Sequence, residues 1–273
     1  MLPTNGNQSH AFPPPCMIYS VVPTRILGVI PARFASSRFP GKALARLAGK
    51  PMVQHVYERA SLARYIRDVI VATDDEQIAA EVRRFGGQVR MTSREHPSGT
   101  DRVAEIASAE NYDLFVNIQG DEPLIDPEAI DAAVLAVLGD ESVSMGTLMK
   151  RMADPADVNN PNVVKVVATL TGDAIYFSRS PIPYNRDSNG DPGSYFKHVG
   201  LYVYRREFLL CYPDLSIGPL ENAERLEQLR ALENGYRIRV IETDYESLGV
   251  DTPEDLERLN QLFANVAGVV AQQ

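Results

Sequence analysis

From Arg25 onward the chain alternates short apolar runs with stretches of helical periodicity, and few architectures accommodate that alternation. Ile26-Leu27-Gly28-Val29-Ile30 is apolar throughout and stops at Pro31, the pattern of a strand buried on both faces. Residues 51–63 predict a helix with Val53, Val56, Tyr57 and Ala60 on one face. A strand follows at 68–72, then a helix capped by Asp74 and stopped by Phe85-Gly86-Gly87. Further strands are predicted at 88–91 and 114–118, and further helices at 100–109 and 127–138. The fold class is therefore α/β, a mostly parallel twisted sheet flanked by helices. Ligands in such sheets bind beyond the carboxyl ends of strands, which singles out the loops after Ile30, Ala72, Met91 and Ile118.

The second half reads as a mixed subregion. Residues 163–170, 174–177, 198–204 and 237–241 predict strands, and 186–193 a polar, mobile loop. A single helix is expected over 220–234, ended by Gly235, and a closing helix over 253–263 capped by Thr252. Residues 1–24, with Pro13-Pro14-Pro15 and few charges, read as a poorly ordered extension and lack the pattern of a secretory signal. No apolar run approaches the roughly 20 residues that span a bilayer.

Charge narrows the chemistry. Acidic residues outnumber basic ones 36 to 27, which argues against a broad nucleic-acid surface. An acidic protein that binds an anion must gather cations locally or recruit a metal. Arg33, Arg38 and Lys42 are gathered in this way, in a loop of small residues that directly follows the first strand. Pro40-Gly41 favours a turn with positive φ at the glycine. Exposed backbone N–H groups and three cations there suit phosphate oxygens. Neither the P-loop spacing nor the Rossmann glycine fingerprint is present, which disfavours a dehydrogenase. Cys16 and Cys211 form no disulfide framework and suit a reducing compartment; Cys211 reads as a buried thiol.

Two aspartates stand at strand ends. Asp121 and Asp251 could hold a hard cation such as Mg²⁺, or could merely cap a turn and a helix. Glu122 reads as a support rather than a ligand. Ser98-Gly99-Thr100 opens a helix, so Ser98 is an ordinary N-cap or part of an anion or base-edge site. Gln119 is a loop amide at a strand end.

Five motifs stand in order: Ile30-Pro31-Ala32-Arg33, Arg38-Phe39-Pro40-Gly41-Lys42, Ser98-Gly99-Thr100-Asp101-Arg102, Gln119-Gly120-Asp121-Glu122-Pro123 and Gly249-Val250-Asp251-Thr252-Pro253-Glu254-Asp255-Leu256. Together they resemble the 3-deoxy-manno-octulosonate cytidylyltransferases, or CMP-Kdo synthetases, which have the glycosyltransferase-A-like nucleotide-binding fold. The similarity covers residues 25 to about 263. Phe34 and Phe39 depart from the Tyr and Leu common in that family, and the N-terminal extension is additional.

The resemblance implies transfer of CMP from CTP to 3-deoxy-D-manno-octulosonate (Kdo) for lipopolysaccharide biosynthesis, in a cytoplasmic homodimer that engages neither nucleic acid nor membrane. It assigns Pro31, Ala32, Arg33, Arg38, Lys42, Ser98 and Gln119 to CTP, with Arg33, Arg38, Lys42 and Asp121 central to catalysis. It assigns Mg²⁺ to Asp121 and Asp251. The sugar acid falls to Gln119, Arg179, Arg186, His198, Tyr202, Glu227 and Gln228. Residues 25–150 would then serve mainly CTP, 151–248 mainly the sugar acid and the dimer contact, and 249–273 would form a closing helix. A cytidylyltransferase for another acid sugar and a catalytically silent nucleotide-binding regulator are the rival readings.

Overall fold

The computed structural model describes residues 24–35, 39–186 and 192–270, so the expected extension lies outside it apart from Thr24. The first half runs β1 (Ile26–Ala32), a small ribbon of β2 (Arg46–Leu47) and β3 (Lys50–Pro51), α1 (Met52–Ala60), β4 (Asp68–Thr73), α2 (Glu76–Arg84), β5 (Gln88–Met91), α3 (Gly99–Ala109), β6 (Leu114–Asn117) and α4 (Pro127–Leu138). The second half adds β7 (Met145–Arg151), a short α5 (Pro155–Val158), β8 (Lys165–Ala168), β9 (Ala174–Ser178), β10 (Phe196–Arg205), α6 (Arg206–Cys211), α7 (Pro219–Glu224), α8 (Gln228–Glu233), β11 (Ile238–Glu242) and α9 (Pro253–Val270).

The main sheet has the order β5-β4-β1-β6-β10-β7-β11, with the β8–β9 hairpin attached through β10. Strands β5, β4, β1 and β6 are parallel, whereas β10 runs antiparallel to both β6 and β7. The expected mostly parallel sheet and mixed second half are both present, and one sheet joins them.

Side chains of β1 alternate between two cores. Ile26, Ile30 and Ala32 pack with α1 and α4, while Leu27 and Val29 pack with α3, α6 and α8. This follows from the two-residue period of a strand buried on both faces. α9 lies apart. Its Leu256, Leu259 and Phe263 pack with Leu47, Met52 and Val250, so the end of the chain returns to the segment just after the cationic loop.

Four local expectations need correction. The strand β7 is absent from the sequence reading because Met145–Arg151 contains a glycine and a single β-branched residue, Thr147. Gly146 is required there, since a Cβ would lie 2.7 Å from Val137 on α4. The single helix expected over 220–234 is two helices, because Arg225 adopts a left-handed conformation (φ 54°) and its N–H closes α7 on the Glu221 carbonyl. Asp75 rather than Asp74 caps α2, accepting from the N–H groups of Gln77 and Ile78. Cys211 is exposed, because α6 buries Phe208 and Leu209 instead. Among the described residues no helix is long and apolar enough to cross a membrane.

Candidate active site

Three loops distant in sequence converge beyond the carboxyl ends of β1 and β6. The first leaves β1 at Ala32 and is closed by the Gly41 N–H donating to the Phe34 carbonyl, 2.9 Å. Gly41 has φ 70°, as the Pro-Gly turn requires, and it delivers Lys42 into a single helical turn, Lys42–Leu44. The second loop follows β6. Gly120 passes so close to Pro31 that a Cβ would lie 2.9 Å from the Pro31 carbonyl oxygen, so only glycine brings Asp121 across the end of β1. The third loop precedes α9.

Lys42 joins them. Its Nζ donates to Asp121 Oδ2 at 2.7 Å and to Asp251 Oδ1 at 3.3 Å. The helix cap explains why Asp251 can take this part. Thr252 Oγ1 accepts from the Asp255 N–H, while Asp255 Oδ2 accepts from the N–H groups of Asp251 and Thr252. Capping therefore falls to a reciprocal Thr252–Asp255 pair, with Pro253 at the first helical position. The Val250 N–H also donates to the Asp121 carbonyl, 2.9 Å.

The donor set fits a hard divalent cation. Two carboxylates from different loops face one cationic group, and Mg²⁺ characteristically takes one or two carboxylates and completes its octahedron with phosphate oxygens and waters. Among the described residues no group of three or more potential metal ligands exists, so the protein alone would leave most coordination positions to substrate and solvent.

Other residues expected to contact nucleotide lie on β1, in the loop after it and at the start of α3. Ala32 is buried and Pro31 and Arg33 partly so. Arg38 lies outside the described residues. Arg33 is near enough to Arg102 to lower the latter's pKa, although burial is the larger cause of that shift. Arg102 is wholly buried, contacts Thr92 and lies 3.6 Å from Asp74. Ser98 caps α3, accepting from the Asp101 N–H at 3.1 Å and donating to the Asp101 carboxylate at 2.5 Å.

A cleft of about 260 Å³ opens beside these loops, between the start of α3, the end of β6, the middle of β10 and the turn joining α7 to α8. Four of the expected sugar-acid residues line it: Gln119, Tyr202, Glu227 and Gln228. Gln119 Nε2 donates to the Gly200 carbonyl at 3.1 Å, a carbonyl turned out of the ladder by the irregularity between Val199 and Tyr202. The Tyr202 hydroxyl donates to Gln228 Oε1 at 3.3 Å. Surrounding protein atoms desolvate Glu227 and raise its carboxyl pKa, opposed by a 3.2 Å hydrogen bond from Thr100 Oγ1. Desolvation likewise raises Tyr202 and Tyr204, so both remain hydroxyl donors at neutral pH.

The other expected sugar-side residues do not line the cleft. Arg179 donates through Nε to the Glu224 carbonyl at 2.8 Å, through Nη1 to the Pro161 carbonyl at 2.9 Å and through Nη2 to the Arg225 carbonyl at 3.5 Å. Its guanidinium thus braces the turn that carries Arg225 and Glu227. Arg186 is exposed at the end of a described segment. His198 packs against Phe177 and Tyr202, and desolvation pushes its pKa down to about 3. It is a neutral ring at ordinary pH. Its Nε2 lies 2.9 Å from Thr147 Oγ1, whose single proton already faces the Val199 and Leu201 carbonyls, which makes the ring nitrogen the donor.

Sequence reasoning missed Arg225, Asn117, Tyr204 and Tyr212, which also line the cleft. Asn117 had a usable signal. It is a polar residue at the carboxyl end of an otherwise apolar central strand, and its Oδ1 is buried with no hydrogen-bond partner.

Comparison with known proteins fits this geometry. A family model described as Cytidylyltransferase matches residues 27–239. The chain is 66 % identical to the 3-deoxy-manno-octulosonate cytidylyltransferase of Solibacter usitatus, over 89 % of this chain and 96 % of the relative. It belongs to that family. The enzyme of the same name from Geobacter sulfurreducens is 58 % identical, over 86 % of this chain and 97 % of the relative. A solved structure of CMP:2-keto-3-deoxy-manno-octonic acid synthetase complexed with CTP superposes with a TM-score of 0.85 at 43 % identity, covering 89 % of this chain and 99 % of that one. A 4-diphosphocytidyl-2C-methyl-D-erythritol synthase from Anaerococcus prevotii shares the fold, with a TM-score of 0.58 at 14 % identity, over 88 % of this chain and 99 % of that one. Members of the chain's own family are thus nucleotidyltransferases, and the glycosyltransferase-A-like reading of its fold stands.

Proposed function

We propose that this chain transfers the cytidylyl group of CTP to Kdo, releasing pyrophosphate, for lipopolysaccharide assembly. The observation that carries the reading is the meeting of Lys42, Asp121 and Asp251, with Asp121 on the same loop as Gln119, which lines a cleft of hydrogen-bonding groups. The triphosphate lies along the loop after β1, the loop that supplies Arg33, Arg38 and Lys42 as its cations. Asp121 and Asp251 would hold Mg²⁺, which would supply charge neutralisation at the phosphates. Ser98 and Gln119 border the nucleoside end.

The sugar acid occupies the cleft. Tyr202, Gln228 and Gln119 orient its hydroxyls, Glu227 accepts from them, and Arg225 is the cation at the cleft wall. Arg179 supports this pocket through the turn it braces, while Arg186 and His198 act from outside the cleft. The anomeric hydroxyl then meets the α-phosphorus in line with the departing pyrophosphate. Positioning and charge neutralisation carry the acceleration, as in other phosphoryl-group transfers.

The same reading makes the enzyme a cytoplasmic homodimer. The test is pyrophosphate release with CTP and Mg²⁺ across Kdo, an amino-substituted Kdo and sialic acid. Turnover is expected to be greatest with Kdo. Turnover only with another acid sugar would move the substrate assignment, and CTP binding without pyrophosphate release from any acceptor would leave a binding protein.

A further inference from the structure

Glu122 is the neighbour of Asp121, yet it has no contact with Lys42 among its hydrogen bonds. It is 7 % exposed, and both of its oxygens are engaged: Oε2 accepts from the Tyr245 hydroxyl at 2.9 Å and Oε1 from Ser247 Oγ at 2.6 Å. Those donors sit in the irregular stretch 243–251 that leads from β11 to Asp251. The first four residues of that stretch are also tied to β7 and β10. The Thr243 N–H donates to the Met149 carbonyl, Lys150 donates to the Asp244 carbonyl, and Glu246 pairs with Lys150 and Lys197. Closer to Asp251, Ser247 is tied to Glu122 and the Val250 N–H to the Asp121 carbonyl.

We infer that Glu122 is a positioning residue that clasps the 245–247 segment to the β6 loop, and thereby sets Asp251 opposite Asp121. The inference rests on the reading of those two aspartates as the metal pair. Its physical basis is a set of three polar side chains that satisfy one another, with Glu122 and Tyr245 buried and Ser247 half-buried, an arrangement that fails if one partner is removed. The two adjacent acidic residues thus have different tasks. Asp121 faces the cation, and Glu122 fixes the distance at which a second carboxylate meets it. Geometry rather than charge is what Glu122 supplies. A glutamine there can accept from one hydroxyl and donate to the other, because hydroxyls serve in either role.

The test compares Glu122→Ala with Glu122→Gln. Loss of an outer residue that orients a metal ligand costs roughly 10- to 100-fold in metal affinity, so Glu122→Ala should raise the magnesium concentration for half-maximal turnover by about that factor while retaining most of kcat at saturating metal. Glu122→Gln should restore the requirement to within about threefold of the unmodified chain. Hydrogen exchange in the metal-free protein gives an independent readout. Amides of 245–251 should exchange faster in Glu122→Ala and at the ordinary rate in Glu122→Gln, with the main sheet unchanged in both. Should Glu122→Ala fold poorly, Ser247→Ala removes one arm of the clasp and should accelerate exchange in the same stretch. An unchanged magnesium requirement and unchanged exchange in Glu122→Ala would overturn the inference. Equal impairment in Glu122→Gln would also overturn it, by assigning the effect to charge. Asp121→Asn, measured alongside, separates the two claims: full magnesium-dependent turnover in that variant defeats the metal reading, while the exchange data still decide the clasp.

Discussion

The loop after β1 and the turn between α7 and α8 gather their polar groups by opposite means. The first gathers formal charge: Lys42 meets two carboxylates, and Arg33 belongs to the same loop. The second gathers mainly uncharged groups, with tyrosine hydroxyls, an amide and a desolvated glutamate around a turn braced through backbone carbonyls. Under the proposed function the difference matches the ligands. Phosphate groups are recognised by charge, and an acidic protein must concentrate cations for them. A polyhydroxylated sugar is recognised by the placement of donors and acceptors, which needs a rigid wall more than a strong field. Rigidity here comes from the left-handed Arg225 and from Arg179, Glu224 and Ser178. Glu224 accepts from the Ser178 hydroxyl at 2.6 Å and the Arg179 N–H at 2.9 Å.

The sharpest way to break this contrast is Asp121→Asn. If the charged side carries the chemistry, kcat should fall by about a thousandfold or more with every acceptor, because a transition-state electrostatic contact is lost. Magnesium titration with pyrophosphate detection reads the effect; an unaltered magnesium response would detach Asp121 from the metal. Lys42→Met should lower kcat by about a hundredfold on the same argument, with thermal stability nearly unchanged because the pair is partly solvent-exposed.

On the sugar side the effects should be smaller and should appear in KM for Kdo. Arg225→Ala and Gln228→Ala should each raise that KM by about tenfold, the worth of one hydrogen bond to a charged or polar group, and leave KM for CTP alone. Arg179→Ala should raise it too and also lower Tm, since three backbone carbonyls lose their donor. A sugar-specific KM effect with no change in Tm would instead put Arg179 in direct contact with the substrate.

The two regions also differed in how far they could be read from residues alone. The parallel strands and the cationic loop were legible, because apolar runs and clustered charges leave local marks. The convergence of Lys42, Asp121 and Asp251 was expected only as separate motifs, since a 209-residue separation between Lys42 and Asp251 has no local signature. The turn at Arg225 was hidden, because 220–234 keeps helical periodicity while tertiary contacts from β9 break it. Arg179 and His198 are expected at the sugar acid, and their contacts within the chain, backbone carbonyls for Arg179 and Phe177 and Tyr202 for His198, had no local mark in the sequence. Whether Asp251 capped a helix or faced a cation was undecidable until Thr252 and Asp255 were seen to share the cap.

His198 offers a pH test of the neutral side. Its folded pKa of about 3 lies below the ordinary histidine value, so between those values the unfolded chain binds the extra proton. Stability from this group is complete above the unfolded value of about 6.5 and is lost as pH falls towards 3. His198→Asn should therefore flatten part of the decline in Tm between about pH 6.5 and 4, while the pH profile of kcat above 6.5 stays unchanged. A kcat that follows a histidine titration near neutrality would make His198 a charged participant and weaken the contrast between the regions.

The mildest perturbation addresses how the late helix serves the charged side. Thr252→Ala removes the side chain that accepts from the Asp255 N–H and leaves Asp255 still accepting from the Asp251 and Thr252 amides. Loss of such a cap costs about 1 kcal/mol, or roughly 2–4 °C in Tm for a chain of this size. α9 is also held by Leu256, Leu259 and Phe263 against Leu47 and Met52, so the helix should persist. Asp251 is one residue from the cap, and its carboxylate should meet Lys42 over a wider range of distances. The expected result is a magnesium requirement raised about two- to threefold, with KM for Kdo unaltered, since a few tenths of a kcal/mol in ligand placement correspond to that factor. A loss confined to Tm would mean that the helix packing alone aligns Asp251. A change in KM for Kdo would mean that the closing helix reaches the neutral cleft as well as the charged one.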